Sequence, residues 1–260
     1  MKQTPEYPTS GKNLLQGKNV LLTAAAGSGI GFALAKRCVE EGATVFVSDI
    51  HERRTREAAE ALSEVAGAEV GYAICNVTKQ EDVDGLIAAA VEKMGSVDIL
   101  MNNAGLGGTA NVAEMTDDQW NMVIDVSLTG TFRVMRAMLN QMYKQDGGVI
   151  VNNASVIGWR AQEGQAHYAA AKAGVMALTR CAALEAAHHN VRINAVAPSL
   201  AMHPFLHKVT TKELLAELTD KEAFKRYAEP WEVANVMIFL ASDYSTYMTG
   251  EILSVSSQRA

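Results

Sequence analysis

Tyr168 and Lys172 stand four residues apart in the stretch HYAAAKAG, a spacing that puts both side chains on one face of a helix. Such a pair arises often by chance, as a half-buried phenol next to a solvated lysine. The alternative is acid–base chemistry. A free phenol titrates near 10, and bringing it close to 7 takes about 4 kcal/mol of extra stabilisation of the phenolate. A neighbouring ammonium acts in that direction. A phenol tuned in this way exchanges a proton with a substrate oxygen. Ser155 follows the apolar run GVIVN, and its hydroxyl can hydrogen-bond the same oxygen.

A second group of residues points to a nucleotide. The run NVLLT, Asn19 to Thr23, leads into TAAAGSGIG, Thr23 to Gly31. Gly27, Gly29 and Gly31, with Ser28 and Ile30 between them, fall where strand gives way to helix. Glycines there allow a tight turn and let phosphates reach backbone N–H groups at a helix N-terminus. A glycine cluster alone is a weak signal, but here an acidic residue, Asp49, closes the next strand-like run. Its carboxylate can accept from the adenine-side ribose hydroxyls and would repel a 2′-phosphate by about 1 kcal/mol or more. NAD is therefore expected over NADP. Arg53 and Arg54 lie just downstream and leave open a phosphate contact from one of them. The two groups together describe hydride transfer between a nicotinamide ring and an alcohol or ketone, with Tyr168 exchanging the proton. The positive charge of an oxidised nicotinamide would further lower the phenol.

These residues need a frame, and the rest of the chain supplies one. Strand-like runs at 19–23, 43–49, 68–77, 97–102, 148–152, 191–197 and 252–255 alternate with helix-like segments at 29–41, 52–66, 80–94, 117 to about 144, 167–188 and 230–240. Strands apolar on both faces and joined through helices form a parallel sheet covered on both sides. The expected fold is thus α/β: a single-domain, Rossmann-type, doubly wound parallel sheet with helices on both faces. Residues 1–16, with Pro5 and Pro8, read as a flexible tail, and 17–260 as one dinucleotide-binding catalytic domain. Residues 199–224 break the rhythm with an irregular stretch and a short helix, KELLAEL. An insertion of this kind after a strand reads as a substrate lid.

Composition excludes other classes. The 260 residues are 48% hydrophobic and 20% charged, with a net charge of -6. No long basic run suggests nucleic acid. No apolar stretch reaches the ~20 residues that span a bilayer, and the N-terminus lacks the apolar core of a secretory signal. A cytoplasmic protein is expected. Cys38, Cys75 and Cys181 show no metal or redox spacing and read as buried free thiols. No metal site is expected.

With these residues in hand, the chain resembles the short-chain dehydrogenase/reductase family from about Lys18 to Val255. The likeness rests on the glycine turn, Asp49, Asn76-Val77, Asn102-Asn103-Ala104-Gly105, Ser155, Tyr168-Ala-Ala-Ala-Lys172, Asn194-Ala-Val-Ala-Pro198, Phe239-Leu-Ala-Ser-Asp243 and Thr249-Gly250, in the family's order. The resemblance implies that Ser155, Tyr168 and Lys172 are catalytic and that Lys172 also holds the nicotinamide ribose. It implies cofactor contacts from Thr23, Gly27, Ser28, Gly29, Ile30, Gly31, Asp49, Asn76, Val77, Asn103, Ala104 and Gly105, from Tyr168 and Lys172, and from Pro198, Ala201 and His203. It also implies a homo-oligomer, a dimer or tetramer, built through the two long helices.

The chain departs from the family at several points. Ala24 stands where a glycine is usual, Asn76 where Asp is common, and Ser199 where a glycine follows the proline. His203 takes the place of a frequent Thr; a cofactor ligand, a substrate ligand and a solvated lid residue all remain open for it. Ser127 occupies the position of a family Asn that stabilises a helix distortion whose carbonyl serves a proton relay to the lysine. A serine hydroxyl can still bond a nearby carbonyl, so Ser127 is counted with the catalytic residues, with an altered enzyme as the alternative. The expected pocket wall is Val156, Ile157, Trp159, Gln162, Met202, His203, Phe205 and Leu206. It suits a bulky apolar, ring-containing or acyl-thioester substrate; Lys208 reads either as a contact for an anionic carrier group or, as surface lysines more often are, as merely solvated. A cofactor-binding scaffold without turnover is the competing reading, and the intact Ser155, Tyr168 and Lys172 weigh against it.

Overall fold

The computed structural model describes residues 6–8, 11–202 and 211–257. Seven strands form its frame: β1 (Asn19–Leu22), β2 (Thr44–Asp49), β3 (Gly71–Ile74), β4 (Ile99–Asn102), β5 (Gly148–Asn153), β6 (Val191–Pro198) and β7 (Ile252–Val255). They lie in the order β3-β2-β1-β4-β5-β6-β7, every pair parallel. Alternate residues of each strand feed opposite cores. Val20, Leu22, Val45, Val47, Ile99 and Met101 pack on one side, and Leu21, Phe46, Leu100 and Ile150 on the other.

Among the described residues the crossovers contain α1 (Ile30–Glu40), α2 (Glu52–Ala66), α3 (Gln80–Met94), α4 (Asp117–Ile124), α5 (Gly130–Gln145), α6 (Ala166–Ala186), α7 (Lys212–Lys221) and α8 (Pro230–Ala241). The sheet order reverses between β1 and β4, which opens a crevice at the carboxyl ends of the strands.

Three expectations are corrected. The helix expected from 117 to about 144 is broken by a π-helical turn over Asp125–Thr129. The loose tail over 1–16 does not hold for 11–16. Lys12 and Leu14 donate backbone N–H groups to the buried Glu41 carboxylate, and Leu15 is fully buried. Nearer the start, the Tyr7 hydroxyl donates to Glu40 at 2.6 Å, and its ring meets Trp231 edge-on. Finally, Cys181 is exposed on α6, whereas Cys38 and Cys75 are buried free thiols as expected.

Candidate active site

The crevice is a continuous cleft of about 680 Å³ running from the end of β2, past the glycine turn, to α6 and α7. At one end Gly27 has φ +93°, a left-handed conformation that glycine adopts without strain. A side chain at Gly31 would place its Cβ 2.0 Å from the Ala24 carbonyl oxygen, so only glycine fits there. Ala24 itself adopts φ +51°. Thr23 is buried beneath this turn, where its hydroxyl accepts the backbone N–H groups of Asn103 and Ala104. Asp49 ends β2 and accepts the N–H groups of Ala26 and His51. Burial raises the Asp49 carboxyl above its usual value, and Ala26 and the Arg54 charge pull the other way.

At the other end, Ser155 leaves β5 with extended backbone, and its hydroxyl accepts from the Ile157 N–H at 3.3 Å. Tyr168 and Lys172 occupy successive turns near the start of α6, with the Lys172 Nζ 5.6 Å from the phenol ring centroid. Lys172 is 2% exposed and donates to the Asn153 carbonyl at 2.7 Å. The Asn153 amide donates to Asn103 Oδ1 at 2.8 Å, and the Asn103 amide donates to the Thr23 and Ala24 carbonyls. One string of hydrogen bonds thus links the lysine to the glycine turn. Asn153 Oδ1, beside the cleft, is buried without a hydrogen-bond partner among the described residues.

This donor set fits a dinucleotide. The glycine-rich turn and the N-terminus of α1 suit a diphosphate, the Asp49 carboxylate suits a ribose, and the cleft runs unbroken from there to the Tyr168–Lys172 pair. Among the described residues no group of His, Cys, Asp and Glu could hold a metal ion, and no helix is long and apolar enough to cross a membrane.

Residues 24–257 match the family model described as Enoyl-(Acyl carrier protein) reductase. A curated relative from Mycobacterium tuberculosis is 59% identical over 252 residues, covering 96% of this chain and 95% of its own. It is named (5R,7aS)-5-hydroxy-7a-methyl-1-oxo-2,3,5,6,7,7a-hexahydro-1H-indene-carboxyl-CoA reductase. A crystal structure of a short chain dehydrogenase from Mycobacterium smegmatis is 53% identical with a TM-score of 0.89, covering 100% of this chain and 99% of that one. The chain belongs to the short-chain dehydrogenase/reductase family. Solved neighbours include NAD+-bound xylitol dehydrogenase (32% identity, TM-score 0.87, covering 94% of this chain and 99% of that one) and a variant of actinorhodin polyketide ketoreductase with NADPH (34%, 0.86, 92% and 96%).

This dehydrogenase/reductase is an oxidoreductase of the CH–OH/C=O type that uses a nicotinamide cofactor. Its cleft gathers Gly29, Ile30, Gly31, Asp49, Asn76, Val77, Asn103, Ala104, Gly105, Ser155, Tyr168 and Lys172. Gly27 and the exposed Ser28 lie on the outer side of the turn and do not line the cleft. Pro198 is buried at the end of β6, and Ala201 is bridged to Ala228. Ser127 is fully buried beside the lysine: its hydroxyl accepts from the Leu106 N–H at 2.9 Å and donates to the Leu106 carbonyl at 2.8 Å. The helix distortion that the family resemblance implies is therefore present with serine in place of asparagine.

Of the expected pocket wall, Val156, Ile157 and Gln162 line the cleft and Trp159 turns outward at 51% exposure. Met202 is half-buried outside the cleft lining, while His203, Phe205, Leu206 and Lys208 lie outside the described residues. Sequence reasoning missed Leu214, Leu218 and Glu222, which border the cleft from α7 and its end. Their spacing of four was a usable signal.

One electrostatic expectation changes sign. The protein's own groups hold the Tyr168 phenol above its ordinary value, because burial outweighs the lowering by the Ser155 hydroxyl. Burial also depresses Lys172 to about 8.

Proposed function

We propose that this enzyme is an NADH-linked reductase of a bulky, ring-bearing ketone carried as an acyl thioester, with Tyr168 as the proton donor. The observation that carries this reading is the placement of the Tyr168 phenol, the Ser155 hydroxyl and an anchored lysine in one cleft. When bound, the reduced nicotinamide supplies the hydride for the carbonyl carbon. Tyr168 donates its proton to the carbonyl oxygen, and Ser155 donates a hydrogen bond to that oxygen. A phenol keeps its proton at neutral pH, as proton donation requires. Lys172, fixed on the Asn153 carbonyl, stabilises the phenolate that remains. Ser127 positions the Leu106 segment next to the lysine. Gly29 to Gly31 and the string from Asn103 hold the diphosphate and nicotinamide portions, and Asp49 selects the unphosphorylated ribose.

The substrate reading rests on the apolar wall of Leu106, Val156, Ile157, Leu214 and Leu218 and on the bicyclic CoA ester in the name of the mycobacterial relative. The segment 199–224 is read as the substrate lid. Trp120, Met122 and Phe132 are exposed on α4 and α5, and Leu184 on α6. These suit a homo-oligomer.

The test is Tyr168→Phe, assayed on cyclic ketones and 3-oxoacyl thioesters with NADH and NADPH. Turnover is expected to fall about 10³-fold while NADH still binds, read by its fluorescence. Wild-type turnover in the variant would overturn the role of Tyr168. A marked preference for NADPH would overturn that of Asp49.

A further inference from the structure

Leu214, Leu218 and Glu222 recur every four residues along α7 and its C-terminal cap, and all three border the cleft. Four residues of helix advance about 6 Å, so the stripe is about 12 Å long. Its first two members are apolar. Its last is a carboxylate that is 5% exposed. A carboxylate is seldom buried unless it is partnered, and this one accepts the Ser257 hydroxyl at 2.7 Å. Ser257 lies just beyond β7, the last strand of the sheet, 35 residues away in the chain. The same strand accepts the Ser199 N–H on its Val255 carbonyl at 3.1 Å. Both ends of the lid segment are thus fastened to the C-terminal strand, and the second fastening fixes Glu222 at the cleft.

We infer that Glu222 is a specificity-determining residue, held in place by Ser257, that accepts a hydrogen bond from a hydroxyl on the substrate's ring system. This deepens the proposed ketone-reductase reading and rests on it. The rings lie along Leu214 and Leu218, and the hydroxyl meets the carboxylate. The same carboxylate opposes a substrate carboxylate at that point. Truncating it removes the acceptor for the hydroxyl and costs nothing to a ligand that lacks one.

The experiment compares a hydroxylated bicyclic ketone with its deoxy analogue. Binding to the enzyme–NADH complex is read by cofactor fluorescence, and kcat and KM are measured separately. Wild type, Glu222→Ala, Glu222→Gln and Ser257→Ala are assayed in parallel. A charge-assisted hydrogen bond of this kind corresponds to about a 10–100-fold preference for the hydroxylated ligand. The expected result is loss of most of that preference in Glu222→Ala, through Kd and KM more than kcat. A partial loss is expected in Glu222→Gln, which keeps an acceptor, and a several-fold loss in Ser257→Ala. A merely structural role would weaken both ligands alike and leave their ratio unchanged in all three variants; that result overturns the inference. So would a wild type that binds both ligands equally. Failure of wild type to reduce either ketone overturns the reductase reading instead, and the binding ratio still reports on Glu222.

Discussion

The two walls of the cleft are built differently. The wall carrying Ser155, Lys172, Asn153 and Asn103 grows from central strands and from α6, and its polar groups are bonded to one another and to backbone. The facing wall is α7, a ten-residue helix whose one buried apolar side chain is Leu215. It is fastened to the body by the Ala201–Ala228 bridge, the Ser199–Val255 bond and the Glu222–Ser257 bond. Chemistry is sensitive to sub-ångström placement, and in the proposed reading it sits on the wall whose side chains are bonded to one another and to backbone. Selection among substrates tolerates adjustment, and in that reading it falls to the α7 wall.

Substitutions on the rigid wall are therefore expected to change rate by orders of magnitude, and those on the helical wall to change preference. After Tyr168→Phe, the largest effect is expected from Lys172→Met, with turnover falling about 10²-fold or more. This variant also separates function from stability. Lys172 titrates at about 8 in the folded protein, below its ordinary value of 10.5. Between those values the unfolded chain binds a proton that the folded chain does not, so stability rises with pH across that window. Below about pH 8 the folded protein carries a buried ammonium at a cost of about 3 kcal/mol, partly offset by the bond to Asn153. Lys172→Met is expected to raise stability at pH 7 by about 2 kcal/mol, and the gain shrinks as pH rises from 8 toward 10.5. Thermal melting at two pH values checks this. A variant less stable at both would show that the lysine anchors the wall more than it strains it.

On the helical wall, Leu214→Ala/Leu218→Ala is expected to lower kcat/KM for ring ketones about 10-fold, chiefly through KM, with little change for a small ketone. One or two lost apolar contacts are worth about 1–3 kcal/mol in such discrimination. The melting temperature should move little, because neither leucine belongs to a buried core cluster. A large drop would mean that α7 is part of the core after all, and the contrast between the walls would collapse.

The rigid wall was also the legible one. Its parts are local patterns: apolar runs of four to eight residues for the strands, a glycine cluster before a helix, and a Tyr and Lys one turn apart. The bounds of α2, α3 and β7 agree with the periodicity. The π turn at Asp125–Thr129 left no trace, because its extra residue does not interrupt the apolar repeat on either side; only the family resemblance pointed there. Cys181 was misplaced for a related reason. Helix α6 is alanine-rich all round, so its sequence scarcely marks which side meets the core, and Leu184 is exposed on it as well. Trp159 is expected in the pocket wall, yet it closes the tight turn after Ser155 and is exposed. The Glu222–Ser257 pairing joins residues 35 apart, and no local pattern announces a contact of that range.

The smallest expected effect tests how much strain the rigid wall holds. Ala24 sits at φ +51° in the turn below the cofactor cleft, where a residue with a Cβ costs about 1–2 kcal/mol. Its carbonyl accepts the Asn103 amide at 3.1 Å, which helps pin it there. Glycine removes the strain and adds about 0.5–1 kcal/mol of entropy cost on folding. The Ala24→Gly protein is therefore expected to gain about 0.5 kcal/mol, a shift near the limit of denaturant melts. A clear loss would say that the alanine methyl, packed against the core formed by Leu21 and Leu100, contributes more than the strained backbone costs. In that case the wall is held by packing around the turn as much as by its hydrogen bonds. Loosening the turn would then reach Lys172 through Asn103 and Asn153, whereas loosening α7 would leave the lysine where it is.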